Sequence, residues 1–138
     1  MQSKDMPLIS ISFCMSSKSA DLARITELLN LNPSKSRKKS EWPQASIDAG
    51  VACDLWKLET EQVTSVSVDS EFKRMTNLLE GEKEKIISLC KEYEMDVHFE
   101  VVVHTKTTKT PAIYLEKESI QFLASINADI GFDVYAYE

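Results

Sequence analysis

The sequence predicts an α+β fold: a two-layer sandwich in which a mostly antiparallel sheet of about five strands carries three or four helices on one face. Several segments alternate apolar and polar residues, as strands with one buried face do. Other segments repeat apolar residues every three or four positions, as amphipathic helices do. With 138 residues, 43% hydrophobic and 28% charged, the chain is predicted to form a single domain over residues 1–138 with its own core.

The N-terminal half is predicted to contain two strands and one helix. Residues 9–13 alternate apolar and polar side chains and indicate the first strand. Residues 22–29 repeat apolar side chains at helical spacing, with Ser19 as the expected N-cap. The polar, serine-rich stretch 34–50 is predicted to be a long loop, and 53–58 a second strand whose tryptophan belongs to the core.

The next segment is predicted to be helical and to lead into a long strand. Residues 72–93 have apolar helical faces on either side of Gly81, and we expect two helices joined near Gly81, or one helix bent there, because glycine costs about 1 kcal/mol inside a helix. Residues 97–104 alternate again and indicate a strand. The alternation predicts that the helical layer buries Ile9, Ile11, Phe13, Val97, Phe99, Val101 and Val103.

Three elements are predicted to complete the chain. Residues 112–115 indicate a short strand after a proline, and 120–126 indicate the last helix. Asn127 is expected to end that helix in the left-handed conformation. Residues 130–137 form the final predicted strand.

The charge of the chain favours a basic protein partner. Net charge is −6, and four of the sixteen basic residues lie between Lys35 and Lys39. The other twelve face twenty-two acidic residues, so the remainder carries −10 and would repel nucleic acid and anionic membranes. The basic stretch from Ser34 to Ser40, close to Trp42, is the one feature suited to nucleic acid, and four charges are too few. We expect a solvated loop there.

The cysteines indicate a reducing compartment. Cys14, Cys53 and Cys90 are scattered among apolar residues, which predicts buried structural thiols without a disulfide. The alternating segment 8–13 does not have the continuous apolar run of a signal peptide. No apolar run approaches the roughly 20 residues of a membrane-spanning helix, so we expect a cytoplasmic protein.

Polar residues on the long strand are the best candidates for catalysis. His98, Glu100 and His104 project from one face of that strand, and Asp133 lies on the last strand. If the two strands are neighbours, His98, Glu100 and Asp133 could supply the acid–base groups of a small hydrolase. The two histidines lie roughly 20 Å apart along the strand and cannot share one metal ion. With three glycines the chain has no glycine-rich phosphate loop, and we predict no metal and no cofactor.

A family resemblance adds to this interpretation. Four segments follow one another in a distinctive order: 23–33 (ARITELLNLNP), 56–58 (WKL), 111–115 (PAIYL) with Ile120 and Leu123 behind it, and 133–135 (DVY). Their series resembles the bacterial family catalogued as domain of unknown function 4279, from which this chain departs in having Asn127 where a glycine is usual and in lacking a Lys-Gly step in its basic loop. The resemblance implies a bacterial cytoplasmic protein in which Trp56, Leu115 and Tyr135 define the fold. It implies no activity.

Two functions are compatible with these observations. The first is a non-enzymatic protein-binding module, most concretely an immunity protein or antitoxin that covers the active cleft of a basic toxin domain, as other small acidic bacterial proteins do. Its candidate contact residues are Glu80, Glu82, Glu84, Glu92, Glu94, Asp133, Tyr135 and Tyr137. The second is the small hydrolase using His98, Glu100 and Asp133. A flat acidic surface would favour the first, and a convergent polar pocket the second.

Overall fold

A six-stranded sheet organises the computed structural model, which describes residues 6–138. The strand order is β2-β3-β1-β5-β6, and the short β4 pairs with the start of β1. All pairings are antiparallel except that of β5 with β6, which is parallel. The strands are β1 (Leu8–Ser17), β2 (Lys35–Arg37), β3 (Asp54–Glu59), β4 (Val63–Thr64), β5 (Asp96–Lys106) and β6 (Ala128–Tyr137).

Helices cover one face of the sheet. Four of them bury apolar side chains in the core, whereas α2 buries none. Along the described part of the chain, each helix is too short or too polar to cross a membrane. The helices are α1 (Leu22–Leu29), α2 (Gln44–Asp48), α3 (Val68–Leu79), α4 (Lys83–Tyr93) and α5 (Lys117–Ser125). This confirms the α+β, two-layer prediction, and the sheet has six strands because two very short strands join it while the predicted strand 112–115 does not.

The core lies between the sheet and these helices, as the alternation predicts. The seven residues expected beneath the helical layer are all at most 4% exposed, which confirms their prediction. Aromatic rings fill the centre, where the centroid of the Phe99 ring lies 5.2 Å from that of Phe13 and 5.1 Å from that of Phe72. Trp56 is fully buried, and its indole Nε1–H donates to Thr26 Oγ1 at 3.0 Å. Trp56 therefore belongs to the core, as predicted.

Several local predictions are confirmed. The helices on either side of Gly81 are separate: α3 ends at Leu79, a 3-10 turn covers Glu80–Glu82, and α4 begins at Lys83. Asn127 has the left-handed φ of 53° expected after the last helix. Both results follow from backbone preferences that act locally and need no knowledge of the tertiary fold.

Three local predictions are wrong. The N-cap of α1 is Asp21, whose carboxylate accepts the Arg24 N–H at 3.1 Å, because the helix starts later than Ser19 allows. The predicted loop 34–50 contains β2, which pairs with the edge of β3, and the short helix α2. The predicted strand 112–115 is a single bridge between Ala112 and Ser67, next to the start of α3 and away from the sheet.

Candidate functional site

Alternate side chains of β5 and β6 point away from the core and form the surface that we call the outer face. The parallel register places Asp129 beside His98, Gly131 beside Glu100 and Tyr135 beside His104. Because side chains alternate along a strand, one set of residues shares this face. The outer face consists of Asp96, His98, Glu100, Val102, His104, Lys106, Asp129, Gly131, Asp133, Tyr135 and Tyr137.

His98 is held between two carboxylates. Its Nδ1 lies 2.5 Å from Asp129 Oδ1, and its Nε2 lies 2.7 Å from Glu100 Oε1. Ionised carboxylates only accept hydrogen bonds, so both contacts are hydrogen bonds when each ring nitrogen carries a proton, as in the imidazolium. Burial lowers the pKa of His98, but the hydrogen bonds and charges of Glu100 and Asp129 outweigh burial and raise this pKa above its usual value.

Gly131 makes room for this arrangement. A Cβ atom at Gly131 would lie 2.7 Å from Glu100 Oε1 and 3.3 Å from His98 Cε1. The Glu100 carboxylate therefore extends over the glycine of the neighbouring strand, toward the sheet edge. An alanine at Gly131 would displace that carboxylate from His98.

Further along the two strands, His104 stacks on two tyrosines. Its ring is nearly parallel to that of Tyr135, with centroids 4.8 Å apart, and to that of Tyr137, at 6.1 Å. The Tyr137 hydroxyl lies 2.9 Å from His104 Nδ1. Tyr135 and Tyr137 are 48% and 52% exposed, so the stack is a surface feature. The resemblance suggested that Tyr135 defines the fold, but this side chain lies outside the core.

The residues proposed for a hydrolase do not all meet. Asp133 lies opposite Val102 and makes no hydrogen bond or ion pair with His98. The carboxylate beside His98 Nδ1 belongs instead to Asp129, which was not among the predicted site residues. Asp129 lies beside His98 because of the parallel register of β5 and β6, and a single sequence does not specify that register.

The helical glutamates occupy a different surface and are partly neutralised. Glu80 Oε2 lies 3.8 Å from Lys83 Nζ, and Glu82 Oε2 lies 3.1 Å from Lys85 Nζ. At the other end of α4, Glu92 forms an ion pair with Arg24. The two remaining candidates, Glu84 and Glu94, are exposed. The eight predicted contact residues therefore divide into helical glutamates and the β6 set of Asp133, Tyr135 and Tyr137.

The cysteines and the clefts offer no convergent reactive site. Cys14, Cys53 and Cys90 are half-buried, and burial is the main cause that raises the pKa of each thiol. A cleft of about 560 Å³ at the ends of β1 and α4 is lined by residues that include neither His98 nor Asp133. Within residues 6–138, no group of three or more His, Cys, Asp or Glu side chains is placed to hold a metal ion.

The basic loop uses its aromatic ring internally. The Arg37 guanidinium lies 4.0 Å from the centroid of the Trp42 ring, within the range of a cation–π contact. One face of the indole is therefore occupied by the chain's own cation, and this leaves less of the ring for stacking on a nucleic-acid base.

We predict that His98 titrates above the ordinary histidine pKa of about 6.5. A raised folded-state pKa stabilises the fold fully below the unfolded pKa, and this contribution is lost as the pH rises through the folded pKa. Because the His98 side chain is 43% exposed, solvent screening limits the contribution to less than about 1 kcal/mol. Urea unfolding at several pH values should show stability falling above pH 6.5 by this amount.

The chain offers a matched control, because it has only two histidines. In His104→Gln, the one remaining imidazole signal in an NMR titration belongs to His98 and should keep its raised pKa. Adding Glu100→Gln should lower it, since one of the two carboxylates is removed. A His98 signal that titrates at or below 6.5 in His104→Gln would contradict the ion-pair geometry.

The chain matches a known protein family over nearly its whole length. The model of the family described as "Domain of unknown function (DUF4279)" matches residues 7–137, nearly the whole chain. No curated protein and no solved structure matches.

Proposed function

Because this chain belongs to the DUF4279 family, whose description gives no activity, we propose its function from the geometry: it is a non-enzymatic module that binds a basic protein partner through the outer face. The observation that carries this proposal is the exposed aromatic stack of His104, Tyr135 and Tyr137 beside exposed carboxylates on one strand pair.

The aromatic stack suits protein recognition. Tyrosine contributes a large, rigid contact area and has few rotatable bonds to order on binding. Stacking on His104 reduces that cost further, because the free protein already holds Tyr135 and Tyr137 in place. Aromatic residues of this kind are also the ones that most often dominate binding energy at interfaces.

The carboxylates favour a basic partner. The Asp129 side chain is 82% exposed, and Asp133 is exposed two positions further along the same face, beyond Gly131. Asp133 forms no ion pair with another residue among those described. The net charge of −6 would also attract a basic partner over long range and would steer its approach.

The alternative function, a small hydrolase, has less support than protein binding. Both ring nitrogens of His98 are occupied by carboxylates, so neither is free to take a proton from a substrate. Asp133 is not part of the cluster. The outer face is an open sheet surface, which suits a broad contact better than the enclosure of a small substrate.

The most concrete form of this proposal is an immunity protein or antitoxin in the bacterial cytoplasm. A toxin domain that acts on nucleic acid would have a basic active cleft, and an acidic, aromatic surface is complementary to it. Three cysteines without a disulfide partner are consistent with a reducing compartment. Co-production of the protein with the captured partner should relieve any toxicity of that partner.

We predict that wild-type protein used as bait in an extract of its native host captures a basic partner that Asp133→Lys bait does not retain. Glu84→Lys is the matched control, because it makes the same charge change on the helical surface. Tyr135→Ala should weaken binding by about 2 kcal/mol, mainly through faster dissociation. The rates can be measured by surface plasmon resonance on the purified partner, and association should slow as salt is added.

Three outcomes would overturn the proposal. Equal loss of the captured protein with Asp133→Lys and Glu84→Lys would mean that the bait merely collects polycations. Retention of the partner by Asp133→Lys together with Tyr135→Ala would place binding elsewhere. Turnover of a small substrate that disappears in His98→Ala would favour the enzyme.

A further inference from the structure

The outer edge of β6 is an open sheet edge. β6 is ten residues long, lies at the end of the strand order and pairs only with β5 among the described residues. Long, open edges present unpaired backbone N–H and C=O groups that can pair with another strand. Edges of this kind are often blocked by proline or lysine, and β6 contains neither.

The helix-facing side of this edge is apolar and incompletely covered. Phe132 and Val134 point toward the helical layer but remain 40% and 45% exposed, whereas Ile130, nearer α5, packs against the core. The helical layer therefore covers the first part of β6 and leaves these two apolar side chains accessible. An added strand could bury them by placing its own apolar side chains beside them.

The outer-face side of the same edge carries carboxylates at three consecutive positions. Asp129 and Asp133 belong to β6, and between them the Glu100 carboxylate extends over Gly131. When its ring is protonated, His98 offsets one of these three negative charges. At least two negative charges therefore remain over five residues of one edge, next to the aromatic stack.

We propose that β6 accepts an extended segment of the partner as an additional strand, and that this segment alternates basic and apolar residues. The segment's Lys or Arg side chains lie over Asp129, Glu100 and Asp133, and its apolar side chains pack beside Phe132 and Val134. Backbone hydrogen bonds along β6 supply affinity, and the alternation of side chains supplies specificity. The inference rests on the proposed function, because it specifies how the basic partner is bound.

The probe is a capped seven-residue peptide, Lys-Val-Lys-Val-Lys-Val-Lys, added to ¹⁵N-labelled protein. We expect saturable NMR shift changes confined to β6, its partner strand β5 and the end of α5. Asp133→Lys should lower the affinity for the peptide by about tenfold, because it removes one attraction and adds one repulsion. Glu84→Lys should leave the peptide affinity unchanged. Phe132→Ser should weaken it through loss of the apolar contact.

N-methylated peptides test strand addition itself. In an added strand, alternate backbone N–H groups face β6 and the others face solvent. One set of alternate N-methyl groups should therefore abolish binding, and the complementary set should leave it intact. A peptide of the same composition with its lysines grouped together should bind at least tenfold more weakly.

The outcomes separate this inference from the proposed function. If both N-methylated peptides bind equally, or if the grouped peptide binds as well as the alternating one, strand addition is wrong. If the native partner is still lost specifically with Asp133→Lys bait, the proposed function survives that failure. If the bait captures no partner but the alternating peptide binds at β6 as expected, the proposed function fails and the edge remains a peptide site.

Discussion

Replacing Phe99 with alanine is expected to lower the free energy of unfolding by about 4 kcal/mol, the largest effect of any single substitution considered for this protein. Phe99 is fully buried in β5, and its ring contacts those of Phe13, Phe72 and Phe122. It thus joins β1, α3 and α5 through one side chain. Truncation would remove its transfer free energy and leave a cavity that the three surrounding elements cannot readily close.

Phe132→Ala is the matched control for this prediction. This substitution makes the same chemical change on the same side of the sheet, but the Phe132 side chain is 40% exposed and lies at the open edge. We expect its loss of stability to stay below about 1.5 kcal/mol, because less apolar surface returns to water and no closed cavity forms. Urea unfolding followed by circular dichroism gives both values. Similar losses for the two variants would contradict the central role of Phe99.

The sequence predicted the core well because burial there follows a period of two. Ile9, Ile11 and Phe13 could be assigned to one face without knowing which strand lies beside them. The short β2 and α2 could not be predicted in this way. Neither buries a residue, so neither leaves a hydrophobic period in the sequence. The position of β2 depends on its pairing with β3, which is a tertiary interaction.

The candidate site was predicted only in part, for a related reason. His98, Glu100, His104 and the β6 tyrosines could be assigned to faces of their own strands by alternation. The contact of His98 with Asp129, and the stacking of His104 on Tyr135, depend on the register of β5 against β6. Alternation within one strand does not say which residue of the neighbouring strand lies opposite, and parallel strands have no tight hairpin turn to set the register.

Asp69 makes a polar contact between helices that was not among the predicted features. It is only 4% exposed in the first turn of α3. Its Oδ1 accepts the Glu116 backbone N–H at 3.0 Å and the Ser119 hydroxyl at 2.7 Å. Lys73 Nζ lies 3.1 Å from Oδ2. Asp69 therefore holds the N-terminus of α5, whose own N-cap residue, Glu116, makes no side-chain cap.

Asp69→Ala is expected to lower the free energy of unfolding by about 3 kcal/mol, because it leaves the buried Ser119 hydroxyl and the Glu116 N–H without an acceptor. Asp69→Asn should cost less, since its amide oxygen can still accept from both donors and only the ion pair with Lys73 is lost. The control is Asp21→Ala, which removes an exposed N-cap of α1 that accepts one N–H, and should cost about 1 kcal/mol.

The pH dependence of stability gives a second test of Asp69. Burial raises the pKa of Asp69, but the hydrogen bonds from Glu116, Ser119 and Lys73 outweigh burial and hold this pKa below its usual value. A depressed folded-state pKa stabilises the fold above the unfolded pKa of about 3.9, and this contribution is lost as the pH falls through the folded pKa. The stability difference between wild type and Asp69→Asn, measured by urea unfolding, should therefore shrink from pH 7 to pH 3. A difference that stays constant over this range, or an Asp69→Ala variant no less stable than Asp21→Ala, would show that Asp69 does not hold α5 through its charge.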